Sequence, residues 1–240
     1  MQLMSQPLDK TPHQYPKSLQ FTLQDGTQVL LRPVIPDDRE RIQNGMAALS
    51  SETRYFRFFT SAGRLSEQQL RYFSEVDQSN HVAWIALDSS DPKHPGLGVA
   101  RFARIEEEPK MAEMGFVVID ACQRKGLGTI LLAVLYLMAE ARAVQVLRAI
   151  VLSENTRVSN WLRSLGAKGY CERGEYRLDL TVHHDRALLP RTQSGENFKR
   201  AIKAVQTAVR RSDTLRSYLA SKPRRTGAQD WPGICANNPC

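Results

Sequence analysis

From Gln20 onward, short blocks of apolar residues alternate with polar breaks, and the blocks read as structural elements. Phe21–Leu23 and Val29–Leu31 flank Asp25-Gly26, a dipeptide suited to the positive φ angles of a tight turn, so a hairpin is predicted. Pro36-Asp37-Asp38 predicts the start of a helix that runs to about Leu49, with Asp as its cap and Glu40 in its first turn. Ser50-Ser51-Glu52 and Ser66-Glu67-Gln68 open two further helical stretches, the first carrying Tyr55, Phe58 and Phe59. His81–Leu87 is an apolar run closed by a polar turn and reads as a strand. Gly96–Ile105 and Ala112–Ile119 read as the next two strands, joined by Glu106-Glu107-Glu108-Pro109.

Gly126 to Arg142 changes period. Apolar residues at 127, 130, 131, 134, 135, 137, 138 and 141 predict a helix buried on most sides. Gln145–Leu152 follows as a strand and Thr156–Leu165 as a helix stopped by Gly166. Gly169–Glu172 and Glu175–Val182 close the domain as a strand pair around Arg173-Gly174. Three consecutive strands with tight turns cannot all be parallel, so an α/β domain with a mixed sheet is expected. No internal repeat recurs at a fixed period. Beyond Arg191, Phe198, Ile202, Val205 and Val209 fall at 4-3-4 spacing among Lys199, Arg200, Lys203, Arg210 and Arg211, which predicts a basic amphipathic helix. The expected organisation is an N-terminal arm (1–19), a domain over 20–185, a basic helical extension over 186–221, and a disordered tail over 222–240.

Composition narrows the class. The chain has 240 residues, 42% hydrophobic and 24% charged, enough for one domain and some excess. The longest apolar run, Ile130–Ala139, is far short of the ~20 residues a membrane span needs. The arm has no apolar core of a secretory signal, and the four Cys show no C-x-x-C spacing. A cytoplasmic location with free thiols is therefore expected. The net charge of +8 is concentrated: between Arg186 and Arg225, 11 Lys and Arg face two acids, so residues 1–185 are neutral overall. Such a segment suits a solvated helix on its own domain, nucleic acid, anionic lipid or an acidic protein face. The apolar stripe argues for packing over nucleic-acid binding, either within the chain or in a homodimer through 196–220.

The most informative stretch is Val117 to Thr129. A strand ends, Gln123-Arg124-Lys125-Gly126-Leu127-Gly128-Thr129 turns, and a long apolar helix begins. The first N–H groups of a helix have no internal partners and converge with the positive end of the dipole, so a phosphate fits there. Two glycines let the backbone approach a ligand, and Arg124 and Lys125 add positive charge at the rim. The letters match neither the P-loop nor the dinucleotide fingerprint.

Gln123-x-x-Gly126-x-Gly128 resembles the [Q/R]-x-x-G-x-[G/A] signature of the GNAT superfamily of N-acetyltransferases. Ser153-Glu-Asn155-Thr-Arg-Val158 and Leu165-Gly166-Ala167 resemble that family's second cofactor segment, and the order of elements agrees over roughly Gln20–Val182. Leu31–Asp37, Leu49–Phe59 and Ala112–Val118 are similar to the bacterial Pat-type protein lysine acetyltransferases. The resemblance implies a GNAT-like mixed, mostly antiparallel sheet flanked by helices, followed here by the basic C-terminal helix. It implies acetyl-CoA as co-substrate, its pyrophosphate on the loop 123–129 and its pantetheine arm along Phe116, Val117 and Val118. A backbone group near Val118 is then the oxyanion donor, and Glu113 is the general base. Pat-type proteins often carry a cyclic-nucleotide-binding or acyl-CoA-synthetase-like domain as well, and this sequence leaves room for neither.

The chemistry agrees with those roles. A lysine amine, with pKa near 10.4, must lose its proton before it can attack a thioester. Glu113 is the only acid on the strand that leads into the loop. Where many GNAT members have a Tyr seven residues after the Asn, this sequence has Leu162, so no side-chain acid stands there for the leaving thiolate. Asn155 has two readings, a cofactor contact or a loop cap. His81 and His183-His184 lack the spacing of metal ligands, so no metal is expected, and Cys122 is disfavoured as a covalent relay. Three functions remain open: acetylation of protein lysines, acetylation of a small amine, and a non-catalytic module that responds to acetyl-CoA.

Overall fold

The computed structural model describes residues 18–60, 62–212 and 217. Most of the N-terminal arm and all of the 222–240 tail lie outside the described residues. Strands β1 (Leu19–Thr22), β2 (Gln28–Pro33), β3 (His81–Asp88), β4 (Gly96–Arg104), β5 (Met111–Val118), β6 (Val146–Leu152), β7 (Lys168–Glu172) and β8 (Glu175–Thr181) form one sheet in the order β1-β2-β3-β4-β5-β6-β8-β7. Every neighbouring pair is antiparallel except β5 and β6. The mixed sheet expected from the turn signals, and the mostly antiparallel pairing that the resemblance implies, are both observed.

Local chemistry explains the connections. In the β1–β2 turn, Asp25 accepts hydrogen bonds from both the N–H and the hydroxyl of Thr27, and Gly26 takes φ +87°. Arg173 and Gly174, both at positive φ, close the β7–β8 hairpin in the same manner. Ser50 and Ser66 cap helices α2 (Ser51–Phe58) and α3 (Glu67–Ser74) by accepting from Thr53 N and Gln69 N.

The first helix departs from expectation. Pro36–Asp38 forms a 3-10 turn, α1 covers Arg39–Ala47, and no side chain caps α1. Asp38 is instead fully buried. Its carboxylate accepts from both Nη atoms of Arg32, at 2.7 and 2.6 Å, and from Ile35 N. A buried guanidinium on β2 makes a stronger claim on this carboxylate than a helix end does.

The two faces of the sheet carry different layers. On one face, α4 (Leu127–Ala141) and α5 (Thr156–Ser164) form the main core with Leu31, Trp84, Phe102 and Met114. On the other, α1 to α3 cover Leu30, Ala83, Ile85 and Leu87, with Ile42 of α1 packed on this smaller cluster. Helix α6 (Gln193–Arg210) joins the main core, since Phe198, Ile202, Val205 and Val209 are all buried within it. Phe198 meets Tyr136 of α4 edge-on, with centroids 5.3 Å apart. The stripe that suggested either internal packing or a second subunit is covered by its own chain. Lys203 and Arg200 are exposed on the outward side. Among the described residues, no helix is long and apolar enough to cross a membrane.

Candidate active site

Parallel pairing between β5 and β6 stops early. Met111–Met114 faces Val146–Ala149, and beyond that register β5 continues only with β4, while β6 continues only with β8. The two strands splay, leaving one main-chain edge of Phe116–Val118 without a strand partner. The wedge opens into a groove of about 590 Å³. Phe116, Val117 and Val118 line one wall, Ala149 to Val151 the other, and Asn155, Val158 and Trp161 of the α5 segment close one side. Trp161 meets Phe116 edge-on at 5.4 Å.

The loop before α4 forms the mouth of the groove. Arg124 and Gly126 both have positive φ, 61° and 93°, and Gly126 is the N-cap of α4. The first intrahelical bond runs from Ile130 N to Gly126 O, so the N–H groups of residues 127–129 are the ones without helical partners. A Cβ added at Gly126 or Gly128 would meet nothing within 4 Å, so the space above both glycines is open. Gln123, Arg124, Gly126, Gly128 and Thr129 line the groove.

Two loop residues are placed otherwise. Lys125 turns away and pairs with Asp25 of the β1–β2 turn at 2.7 Å, so its charge is taken up by a carboxylate. The Leu127 side chain is buried in the main core, and only its backbone belongs to the mouth. Gln123 acts as a brace. Its Nε2 donates to Val118 O and Thr53 Oγ1, at 3.2 and 3.3 Å, and its Oε1 accepts from Arg157 at 3.2 Å. Asn155 lines the groove while its Oδ1 caps α5 by accepting from Val158 N at 3.2 Å.

Glu113 stands one residue before the last β5–β6 pair, opposite Arg148 on β6 and Ala103 on β4. It lines the inner end of the groove. Burial pushes its carboxyl above the ordinary value, and the charges of Arg57, Arg177 and Arg148 pull it back without cancelling the effect. A carboxyl so placed holds a proton more readily than an exposed one.

Arg57 and Asp120 carry parts of the site that the sequence reading left unassigned. The guanidinium of Arg57 occupies the space where a side chain at position 115 would stand, so any residue larger than Gly on β5 there would have to displace it. This brings the Arg57 charge from α2 across β5 to Glu113. A glycine in the middle of a strand was the available signal of such a close approach. Asp120 accepts from Ser50 N, Ser50 Oγ and Thr53 Oγ1, which ties the start of α2 to the loop. Burial opposes its ionisation, but these bonds hold the carboxyl below its ordinary value.

The remaining candidates lie elsewhere. Leu162 is fully buried, so no acid reaches the groove from that position. Cys122 is buried outside the groove lining, and burial pushes its thiol up. His81 stacks on Tyr72 at 4.7 Å and faces Arg101 Nη1 at 3.2 Å; burial first and then the Arg101 charge depress it to about 3. His184 is exposed beside Glu140.

Comparison with known proteins agrees with this geometry. Residues 28–168 match the family model of the acetyltransferase (GNAT) domain. The acetyltransferase Pat of Mycolicibacterium smegmatis is 37% identical over 142 residues, which cover 59% of this chain and 42% of that protein. The match thus spans under half of that relative's length. The GNAT domain of S. lividans PAT superposes with a TM-score of 0.63 at 26% identity, covering 72% of this chain and 99% of that domain. The cAMP-binding acyltransferase from Mycobacterium smegmatis gives a TM-score of 0.51 at 27% identity over 79% of this chain and 56% of that one. With a matching family model over more than half its length, the chain belongs to the GNAT family of acetyltransferases.

Proposed function

We infer that the chain transfers an acetyl group from acetyl-CoA directly to an amine, with protein lysine as the acceptor and Glu113 as general base. The observation that carries this reading is the wedge itself: open space over Gly126 and Gly128 at one end, and a single groove-lining carboxyl on β5 at the other. The unpartnered N–H groups at the start of α4, aided by Arg124, would hold the pyrophosphate. The free edge of Phe116–Val118 would pair with the pantetheine amides. Bound acetyl-CoA supplies an activated acyl group as a thioester.

Glu113 accepts the proton of the incoming ammonium, which frees the nitrogen lone pair to attack the thioester carbonyl. The new C–N bond forms, the C–S bond breaks, the nitrogen gives its remaining extra proton to water, and the thiolate takes a proton from water. A backbone N–H near Val118 faces the growing negative charge on the carbonyl oxygen. Arg57, held over Gly115, keeps positive charge close to Glu113 and limits how far burial raises its pKa.

A broad polar surface beside Glu113 favours a protein acceptor over a small one. Arg148, Arg177 and Asp179 lie on the same sheet half, next to the fully exposed strand β7 with Tyr170 58% exposed. The motif letters shared with Pat-type enzymes point the same way. The test is CoA release from acetyl-CoA against a panel of proteins and small amines, with mass spectrometry of the acetylated residue. Turnover on polyamines or amino acids without any on proteins would reassign the acceptor; no turnover on either would leave only a binding module.

A further inference from the structure

The half of the sheet beyond the groove presents one open, charged face. On β6 and β8, Leu147, Ala149, Val151, Leu178 and Leu180 point into the main core and are buried. Their alternates, Arg148, Ile150, Arg177 and Asp179, point the other way and are partly exposed. Farther out, every residue of β7 is exposed. The register sets the side chains of this face next to one another: Glu113 beside Arg148, Arg148 beside Asp179, Ile150 beside Arg177, and Arg177 beside Tyr170. Ile150 also lines the groove, so Arg177 stands next to the groove wall.

The cations of this face are not equally engaged. Asp179 accepts from Arg148 Nε and Nη2, at 2.8 and 2.9 Å, and a Glu108 oxygen lies 4.0 Å from the same guanidinium. Arg148 is thereby satisfied within the chain. Arg177 differs: among the described residues it has no hydrogen-bond or ion-pair partner, and Glu175, two residues along β8, does not pair with it. Its charge nevertheless acts on Glu113. Across the strand pair, the Tyr170 ring is exposed. Arg and Tyr are the side chains that most often anchor a protein partner, since each contributes a large contact area and a polar end.

We propose that Arg177, with Tyr170 beside it, reads the sequence around the acceptor lysine and selects lysines that have an aspartate or glutamate two to four residues away. Such selection rests on the reading of the groove as a protein-lysine site. The acceptor brings an ammonium to Glu113, and the unpaired guanidinium nearby complements a carboxylate on the same segment. Geometry sets the spacing. Strands lie about 4.8 Å apart and rise about 3.3 Å per residue, so the Cα atoms of Glu113 and Arg177, two strands across and two residues along, are roughly 12 Å apart. An extended acceptor has the same rise, so its residues two to four positions from the lysine come within reach of Arg177. Glu175 continues the face beyond Arg177 and repels a carboxylate placed farther out. A second cation at the same acceptor position would meet Arg177 and be rejected.

A series of single-lysine peptides, with the full chain and acetyl-CoA, tests the proposal. Each peptide carries Asp, Asn or Arg at one position within four residues of the lysine, and is presented both free and as the tail of a lysine-free carrier protein. CoA release and mass spectrometry of the product are the readouts. Wild type should favour Asp over Asn by ~5-fold or more in kcat/KM at the best position, chiefly through KM, with Arg the poorest. Added salt should shrink the preference, because the pair is partly exposed. Arg177→Gln should erase the preference, and Arg177→Glu should invert it in favour of Arg. Each comparison is a ratio between peptides on one enzyme, so any change that the substitution makes to the proton affinity of Glu113 cancels. Indifference of wild type to the flanking charge overturns the proposal, as does a preference for Asp that survives Arg177→Glu. Both results, obtained on acetylated peptides, leave the protein-lysine reading standing. Turnover of polyamines or amino acids with none anywhere in the series overturns that reading and the proposal with it.

Discussion

Replacing Glu113 by Gln removes one proton acceptor from the apex of the wedge and keeps the side-chain volume. At pH 7 a lysine amine with pKa near 10.4 is neutral in only about 1 molecule in 2,500, so unaided attack is slow. General base catalysis is usually worth ~10²–10⁴ in rate, which corresponds to about 3–5 kcal/mol of barrier. Glu113→Gln should therefore lower kcat by that factor at pH 7. Acetyl-CoA affinity should hold, because Glu113 lies at the opposite end of the groove from the α4 mouth. The pH profile adds a second readout. In wild type the rate should rise as pH climbs through the raised pKa of Glu113. In the variant that limb disappears, and the rate should grow about tenfold per pH unit towards the lysine pKa. Steady-state CoA release from pH 5.5 to 10 measures both. Unchanged kcat at pH 7, or superimposable profiles, would refute Glu113 as base.

The same substitution makes a stability prediction of defined sign. Burial raises the folded pKa of Glu113, so the folded state binds this proton more tightly than the unfolded chain does. Its ionisation thus works against folding at pH values above the folded pKa, and the penalty disappears as pH falls below the unfolded value. Gln carries no such penalty. Thermal melts should show Glu113→Gln slightly more stable than wild type at pH 7, with the difference vanishing near pH 4. A gain in stability joined to a loss of rate separates a strained catalytic group from a merely structural one.

At the mouth, Gly126→Val places a β-branched residue at φ +93° with its side chain in the open space over the loop, and should abolish acetyl-CoA binding by calorimetry. Gly128→Ala should cost far less, because its backbone needs no positive φ. Asp38→Ala leaves the buried Arg32 guanidinium without its carboxylate and should destabilise by ~3–5 kcal/mol in urea unfolding, with Arg32→Met in the same chain restoring much of the loss. Phe198→Asp buries a charge between α6 and α4 and should lower stability by at least about 3 kcal/mol; melting unchanged from wild type would mean that α6 does not pack in solution.

Which features were legible in the sequence follows from whether one stretch of chain suffices to specify them. The α4 helix was legible because its apolar positions and its Gly-rich start are contiguous. The β1–β2 hairpin was legible because Asp25-Gly26 alone determines the turn. The pairing of Lys125 was not legible because its partner, Asp25, sits a hundred residues earlier, and nothing local says that a cation in this loop already meets a carboxylate. Asp38 failed likewise: a helix-start aspartate and a buried counter-ion look identical until Arg32 is brought within 2.6 Å by the β2 register. The case of Gly115 is the more instructive. Read locally it is a weak spot in a strand, yet the fold uses it to pass a guanidinium from α2 across β5 to the carboxyl of Glu113. Adding any side chain at 115 must displace Arg57, so Gly115→Ala should alter the pH dependence of turnover, through the charge beside Glu113, more than it alters acetyl-CoA affinity. A change in affinity with an unmoved pH profile would mean that Arg57 serves the donor and not the base.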